Sequence, residues 1–262
     1  MSTNYGLVSI ITPSYNTARF VKETIQSVLA QTYPHWEMLI VDDCSTDGSA
    51  DTIREIIQEY QDPRIRLFVN KVNSGAAVSR NRALREAKGR WIAFLDSDDL
   101  WAPDKLEKQL QFMQENGCAF SYTAYTEIDE QSRETGVTVS GPKRISKAGM
   151  FRYCWPGCLT VMYDAERIGL IQIADLKKNN DYAMWLKAIP FSDCWLLDEA
   201  LAKYRVRSGS ISRENKIRLI KFHYILFRDG QGMNPAAAAF STIRNLIFGI
   251  WKKVRYVQRI KA

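Results

Sequence analysis

Phe94-Leu95-Asp96-Ser97-Asp98-Asp99 places three carboxylates within four positions. Carboxylates packed this closely repel one another unless something positive sits among them. A hard divalent cation, which prefers oxygen ligands, is one such group, and it could carry a diphosphate. The same segment could equally be a solvated turn that caps the helix after it, because Asp is common at helix N-caps. The apolar run Trp91–Leu95 just upstream reads as a buried strand, so the carboxylates fall where that strand emerges at its carboxyl end. In an open parallel sheet that is the edge where ligands bind.

The elements that must position this cluster alternate along the first 120 residues. Strands are expected at Leu7–Thr12, Trp36–Val41, Ile65–Val69 and Trp91–Leu95. Helices are expected at Thr17–Gln31, at Ser49–Tyr60 with Ser49 as N-cap, at Gly75–Lys88, and at Pro103–Glu115 with Pro103 in its first turn. This βαβαβαβα order implies a doubly wound, mostly parallel sheet. After about Ala119 the pattern is mixed: strands at Ala119–Ile128, Val137–Val139, Cys158–Tyr163 and Cys194–Leu197, with a helix at Asp181–Ile189. The expected fold is α/β and Rossmann-like, with residues 1–118 and 119–212 as two halves of one continuous sheet and 213–262 as a helical tail.

Three further strand ends open on the same edge as the acidic cluster. The first leads into Thr12-Pro13-Ser14-Tyr15-Asn16, where Tyr15 offers a stacking face. The second leads into Asp42-Asp43-Cys44-Ser45-Thr46-Asp47-Gly48, whose carboxylates could accept from a base edge or a ribose hydroxyl. The third leads into Asn73-Ser74-Gly75, with Arg80-Asn81-Arg82 one turn on. Any one of these is ordinary turn chemistry; four on consecutive parallel strands converge on one site. The chain contains neither G-x-G-x-x-G nor G-x-x-x-x-G-K-[ST]. A phosphate would therefore be held by a metal and cationic side chains, which disfavours an ordinary dehydrogenase or P-loop enzyme.

Charge is unevenly distributed. From Arg213 to the end there are eleven Lys/Arg against two Asp/Glu, so the formal +7 of the whole chain belongs to the tail and the body is slightly acidic. That argues against a nucleic-acid binder. The five cysteines are scattered, only Cys154 and Cys158 are close, and both histidines, His35 and His223, stand alone, so neither a zinc set nor a His-based nucleophile is supported. No stretch reaches the ~20 apolar residues of a membrane span, and the first sixteen residues do not resemble a signal peptide, so a cytoplasmic setting is expected.

Val8 to Asn16, Ile40 to Asp47, Asn73 to Asn81 and Phe94 to Asp99 together resemble the inverting family 2 glycosyltransferases, strongly over residues 7–115 and more loosely over 116–212. The resemblance implies the A-type nucleotide-sugar fold. By position it implies that Pro13, Tyr15 and Asp43 hold the nucleobase of a UDP-sugar donor, that Asp96 faces the ribose, and that Asp98 binds Mn²⁺ or Mg²⁺ bridging the diphosphate. Arg80 falls in an A-R-N-like stretch near the nucleotide sugar, although Ser79 precedes it here. Asn179-Asn180-Asp181-Tyr182-Ala183-Met184-Trp185-Leu186 resembles the family's E-D-x-x-x-W segment, which makes Asp181 the catalytic base, with Asn180 in place of the usual Glu. Leu201 to Ser212 resembles the family's Y-R-x-H-x-x-S-x-S segment, with Arg207 where His is common. A guanidinium cannot ligate a metal but can pair with the donor diphosphate.

Inverting transfer is a single in-line displacement, so one base suffices and the carboxylate pair of a glycosidase is not required. In the tail, Ile243, Leu246, Ile247, Ile250, Trp251, Val254, Val257 and Ile260 form a helical apolar stripe flanked by basic residues, which reads as an interfacial membrane helix. The alternative is a terminal helix packed on its own domain or on a partner subunit. With the membrane reading, the expected function is transfer of a hexose, glucose or galactose, onto a polyprenyl-diphosphate-linked saccharide at the inner face of a bacterial inner membrane, in O-antigen or capsule assembly. The rivals are a sugar-nucleotide nucleotidyltransferase and a non-catalytic protein of the same fold.

Overall fold

The computed structural model describes residues 3–174, 176–207 and 216–259. In chain order the elements are β1 (Val8–Ser14), α1 (Val21–Leu29), β2 (Trp36–Asp42), α2 (Ser49–Tyr60), β3 (Ile65–Val69), α3 (Ala76–Glu86), β4 (Trp91–Phe94), β5 (Leu100–Trp101) and α4 (Lys105–Glu115). The second half continues with β6 (Phe120–Ile128), β7 (Glu134–Val139), β8 (Arg144–Ile145), α5 (Lys147–Arg152), β9 (Met162–Asp164), α6 (Ala165–Ile168), α7 (Asn180–Ala188), β10 (Cys194–Arg205), α8 (Lys216–Ile225), α9 (Pro235–Arg255) and β11 (Val257–Arg259).

All these strands join one sheet, as expected, whose main path runs β11-β7-β6-β9-β4-β1-β2-β3, with β10 beside β6. The pairs β1–β2, β1–β4 and β2–β3 are parallel, whereas β9 runs antiparallel to both β4 and β6. The parallel strands are apolar along their length because helices cover both faces. Strict alternation divides them: Val8 and Ile10 join Ile25, Ile53 and Leu106 on one face, while Ile11 joins Phe94, Leu84 and Trp185 on the other. The register sets Ser14 beside Asp42 and Ile11 beside Phe94. That pairing brings the ends of β1, β2 and β4 to one edge.

Several expected boundaries move, each for a local reason. Helix α1 begins only at Val21, because Thr17–Phe20 forms a turn in which the Thr17 carbonyl accepts from the Phe20 and Val21 N–H groups. Gly48, at φ +87°, is the N-cap of α2, and Ser49 is its first helical residue; the left-handed backbone there suits glycine. Pro103 precedes α4, and its carbonyl accepts from Thr32 N at 2.8 Å. Cys158–Thr160 is a 3-10 turn, so the strand expected there shortens to β9. Strand β10 extends to Arg205 by pairing in parallel with β6 across two register shifts. Val257, expected on the tail helix, instead pairs with Val139 in β11 and covers the edge of β7.

Candidate active site

The loops at the ends of β1 and β2 are stitched together. Asn16 N donates to Ser45 Oγ at 2.9 Å, and Asn16 Oδ1 accepts from Thr46 N at 2.9 Å. Above this seam the Tyr15 ring is 45% exposed, with Pro13 half-buried below. An exposed aromatic on a rigid loop is a stacking platform for a planar base. Asp43 is buried and accepts from Asn70 Nδ2 at 2.7 Å, Gly75 N at 2.6 Å and Ser74 N at 3.1 Å. Three protein donors occupy most of the lone-pair sites of a carboxylate. Asp43 therefore organises the loop that opens α3, and it has room for one further donor such as a base N–H.

Asp96, Asp98 and Asp99 leave β4 into three different environments. Asp96 accepts from the buried Arg80, whose Nη1 also donates to Asn180 Oδ1 at 2.8 Å. This explains the Asn180 that replaces a more usual Glu: it holds Arg80 without adding a charge. The Arg80 Nε is buried and has no partner among the described residues. Asp98 pairs with Arg207 Nε at 2.9 Å. Burial pushes its carboxyl above the ordinary value, Arg207 opposes that, and Asp96 adds to it. Asp99 is closed off from solvent and accepts from Arg205 N at 2.8 Å; burial and the two neighbouring carboxylates push it well up. The helix-cap reading of this cluster fails, because β5 follows directly and α4 starts only at Lys105.

A divalent cation can be tested against this donor set. The side chains offered are carboxylates only, and Asp96 and Asp98 keep 32% and 17% of their side-chain surface open. Among the described residues no group of three or more His, Cys, Asp or Glu forms a metal cage. The set fits a hard cation that shares its coordination with a ligand's phosphates and water, as such sites commonly do.

Asp181 lies in the first turn of α7, beside Asn180, and accepts from Tyr182 N at 2.8 Å. Burial raises its carboxyl above the ordinary value, against the pull of Arg80. A largely buried carboxylate of raised basicity that still reaches the surface suits a general base. Arg80 thus joins Asp96, two residues from Asp98, to Asn180, beside Asp181. Arg205, quoted in the sequence only as part of a segment, has a larger role than its position suggested. It is fully buried and donates to Glu23 Oε2 (2.8 Å), the Asp98 carbonyl (2.7 Å), Ser132 Oγ (2.8 Å) and the Asp129 carbonyl (3.2 Å). The alternation of β10, which turns Arg205 inward at the end of a strand, was the signal that could have found it.

Residues 9–160 match the family model Glycosyl transferase family 2. The chain belongs to family 2 of the glycosyltransferases. The transferase is 44% identical over 226 residues, 85% of this chain and 88% of the relative, to TuaG of Bacillus subtilis (strain 168), named for teichuronic acid biosynthesis. It is 37% identical over 248 residues, 94% of each chain, to the Escherichia coli UDP-Glc:alpha-D-GlcNAc-diphosphoundecaprenol beta-1,3-glucosyltransferase WfgD. Its fold matches that of residues 1–349 of S. aureus TarS in complex with UDP-GlcNAc, at a TM-score of 0.67 and 21% identity, covering 91% of this chain and 71% of that TarS chain. The transferase therefore has the A-type α/β fold expected from its sequence.

Proposed function

We propose that this transferase moves glucose, or another hexose, from a UDP-sugar onto a polyprenyl-diphosphate-linked saccharide with inversion, forming a β-linkage in bacterial surface-polysaccharide assembly. The observation that carries this is the Asp96–Arg80–Asn180 chain, which links a donor-side carboxylate directly to the turn that holds Asp181. WfgD, alike over nearly the whole length of both chains, acts on such a donor and such an acceptor.

Tyr15 and Pro13 stack and support the base, and Asp43 accepts its N–H. Asp96 holds the ribose. Asp98 holds Mn²⁺ or Mg²⁺, which when bound supplies charge neutralisation for the departing diphosphate. Arg207 lies against Asp98 and turns toward the donor phosphates, adding a fixed positive charge where negative charge develops. Asp181 accepts the proton of the acceptor hydroxyl as that oxygen attacks the anomeric carbon, and Arg80 keeps Asp181 and Asp96 in register.

The acceptor lipid implies a membrane surface, and α9 suits one. Phe240, Ile243, Ile247, Ile250, Trp251 and Val254 are all exposed along one stripe, opposite the face that buries Ala238 and Asn245. Arg244, Lys253 and Arg255 flank the stripe, matching the charge of an anionic bilayer. Among the described residues no helix is long and apolar enough to cross a membrane. The protein then rests on the inner face of the cytoplasmic membrane.

Incubation with UDP-glucose, Mn²⁺ and a synthetic N-acetylglucosaminyl diphosphate bearing an alkyl chain should yield UDP and a β-glucosylated product, read by mass spectrometry and by the anomeric coupling constant. Pyrophosphate release or nucleotide exchange without glucose transfer would instead mark a nucleotidyltransferase. No reaction with any UDP-sugar or GDP-sugar would mark a non-catalytic protein.

A further inference from the structure

Helix α9 does more than offer an apolar stripe to solvent. Its inner face packs on α5 and on the helix that carries Asp181: Asn245 Nδ2 donates to Tyr182 Oη at 3.0 Å, and that hydroxyl donates to the Met150 carbonyl at 2.7 Å. Three cations lie along this seam. Lys252 Nζ donates to the Trp155 carbonyl at 2.7 Å and sits 5.5 Å from the Tyr153 ring centre. Arg244 Nη2 donates to the Phe151 carbonyl at 3.0 Å, and its Nε is buried without a partner. Arg152, exposed at the end of α5, lies 5.8 Å from the Phe248 ring centre. None of the three forms an ion pair among the described residues, whereas Arg205, Arg80 and Arg90 each face a carboxylate.

Neutral carbonyls and rings hold these cations in place but leave their charge uncompensated. Burial lowers Lys252 to about 8, which the Asp181 carboxylate opposes. Asp181 is pulled by Arg80, and its neighbour Tyr182 ties the first turn of α7 to α9 through Asn245. The acceptor hydroxyl must reach Asp181 from the side away from the donor, because in-line displacement places nucleophile and leaving group on opposite faces.

We propose that Lys252, Arg244 and Arg152 form a second diphosphate site, which binds the diphosphate of the lipid-linked acceptor and places its sugar against Asp181. This rests on the acceptor class argued above. The order across α9, from its outer face inward to α7, then matches the order within the substrate: lipid at the exposed apolar stripe, diphosphate at the cationic seam, sugar at Asp181. Charged donors aimed at phosphate oxygens supply strong, directional hydrogen bonds. The site also separates two diphosphates that would otherwise compete, since that of the donor lies across Asp181 at Asp98 and Arg207.

The test compares two soluble acceptors, N-acetylglucosaminyl diphosphate with a short alkyl chain and the methyl glycoside of N-acetylglucosamine, so that membrane binding plays no part. In Lys252→Met and in the surface variant Arg152→Ala, KM for the diphosphate acceptor should rise about tenfold, the loss expected for one charge-assisted contact, while KM for UDP-glucose stays put. In Arg152→Ala, whose side chain lies at the surface, the methyl glycoside should be used as by wild type. An acceptor KM within twofold of wild type in both variants overturns the site and leaves the glucosyl-transfer reading standing. So does a wild-type enzyme that uses both acceptors equally well. Failure of the wild type to glucosylate the diphosphate acceptor overturns the functional reading itself, and the site with it.

Discussion

The proposed donor side and acceptor side of this molecule are assembled on different principles. On the donor side, Ser14, Asp42 and Asp96 reach one edge because three parallel strands hold them in register, so each side chain is placed by its own strand. On the acceptor side, placement depends on contacts between distant parts of the chain: Arg80 to Asn180 across 100 residues, Asn245 to Tyr182 across 63, and Arg205 to Glu23 across 182. Strand register therefore brings the nucleotide-end residues to one edge, whereas distant contacts set the Asp181 end and also fasten Asp98 and Asp99. A family built this way can keep its donor site while varying what it glycosylates.

Removing the base should separate the halves most sharply. Asp181→Asn should lower kcat about a thousandfold, within the range general-base catalysis supplies, while UDP binding by calorimetry stays within about twofold of wild type. Loss of UDP affinity in that variant would show that the halves are not separable. The second test attacks a further bridge between them, Arg205. Arg205→Met removes four donor contacts from a buried guanidinium and should cost about 3 kcal/mol in urea unfolding. UDP affinity should fall with it, because Arg205 fastens the backbone at Asp98 and Asp99. Unchanged donor affinity would make the acidic motif independent of β10.

The same contrast decides what could be read from the sequence. Asp96, Asp98, Asp43 and Tyr15 were legible because strand ends advertise themselves: an apolar run stops and polar residues begin. That Asp43 already serves Asn70, Ser74 and Gly75 was not legible, since those partners come from another loop. Arg207 was expected at the diphosphate; its pairing with Asp98 needed the path of β10, which runs well past the strand predicted at Cys194–Leu197. Ser208–Ser212 of that segment, like Ile260 of the apolar stripe, lie outside the described residues. The tail was legible as amphipathic but not as half-buried. Periodicity reports that an apolar stripe exists, whereas only packing shows that the buried face of α9 is lined by Ala238, Thr242 and Asn245 and that the large apolar side chains are left outside.

Acidity offers a finer measure of the coupling. Asp181 must be ionised to act, and burial raises it, so kcat should climb with pH through a limb above the ordinary carboxylate range. Arg80 opposes the rise by stabilising the anion. Arg80→Met should therefore move the limb to still higher pH, and Arg80→Lys should restore it in part. A limb that stays fixed in Arg80→Met would mean that the guanidinium positions the donor without acting on the base.

The smallest expected effect lies farthest from the chemistry. Val254 stands 77% exposed on the α9 stripe, so Val254→Ser removes apolar surface that has no partner within the protein. The thermal midpoint should not move, because no packing is lost. Partitioning onto vesicles containing phosphatidylglycerol should weaken by roughly fivefold, the equivalent of about 1 kcal/mol for a small apolar side chain that no longer enters the interface. The outcome distinguishes two meanings of an exposed stripe. A lowered midpoint would show that the stripe is covered by another part of the protein or by a second copy. Unchanged midpoint and unchanged partitioning would leave the acceptor half with no membrane contact at this helix, and the lipid would then have to reach the cationic seam from another direction.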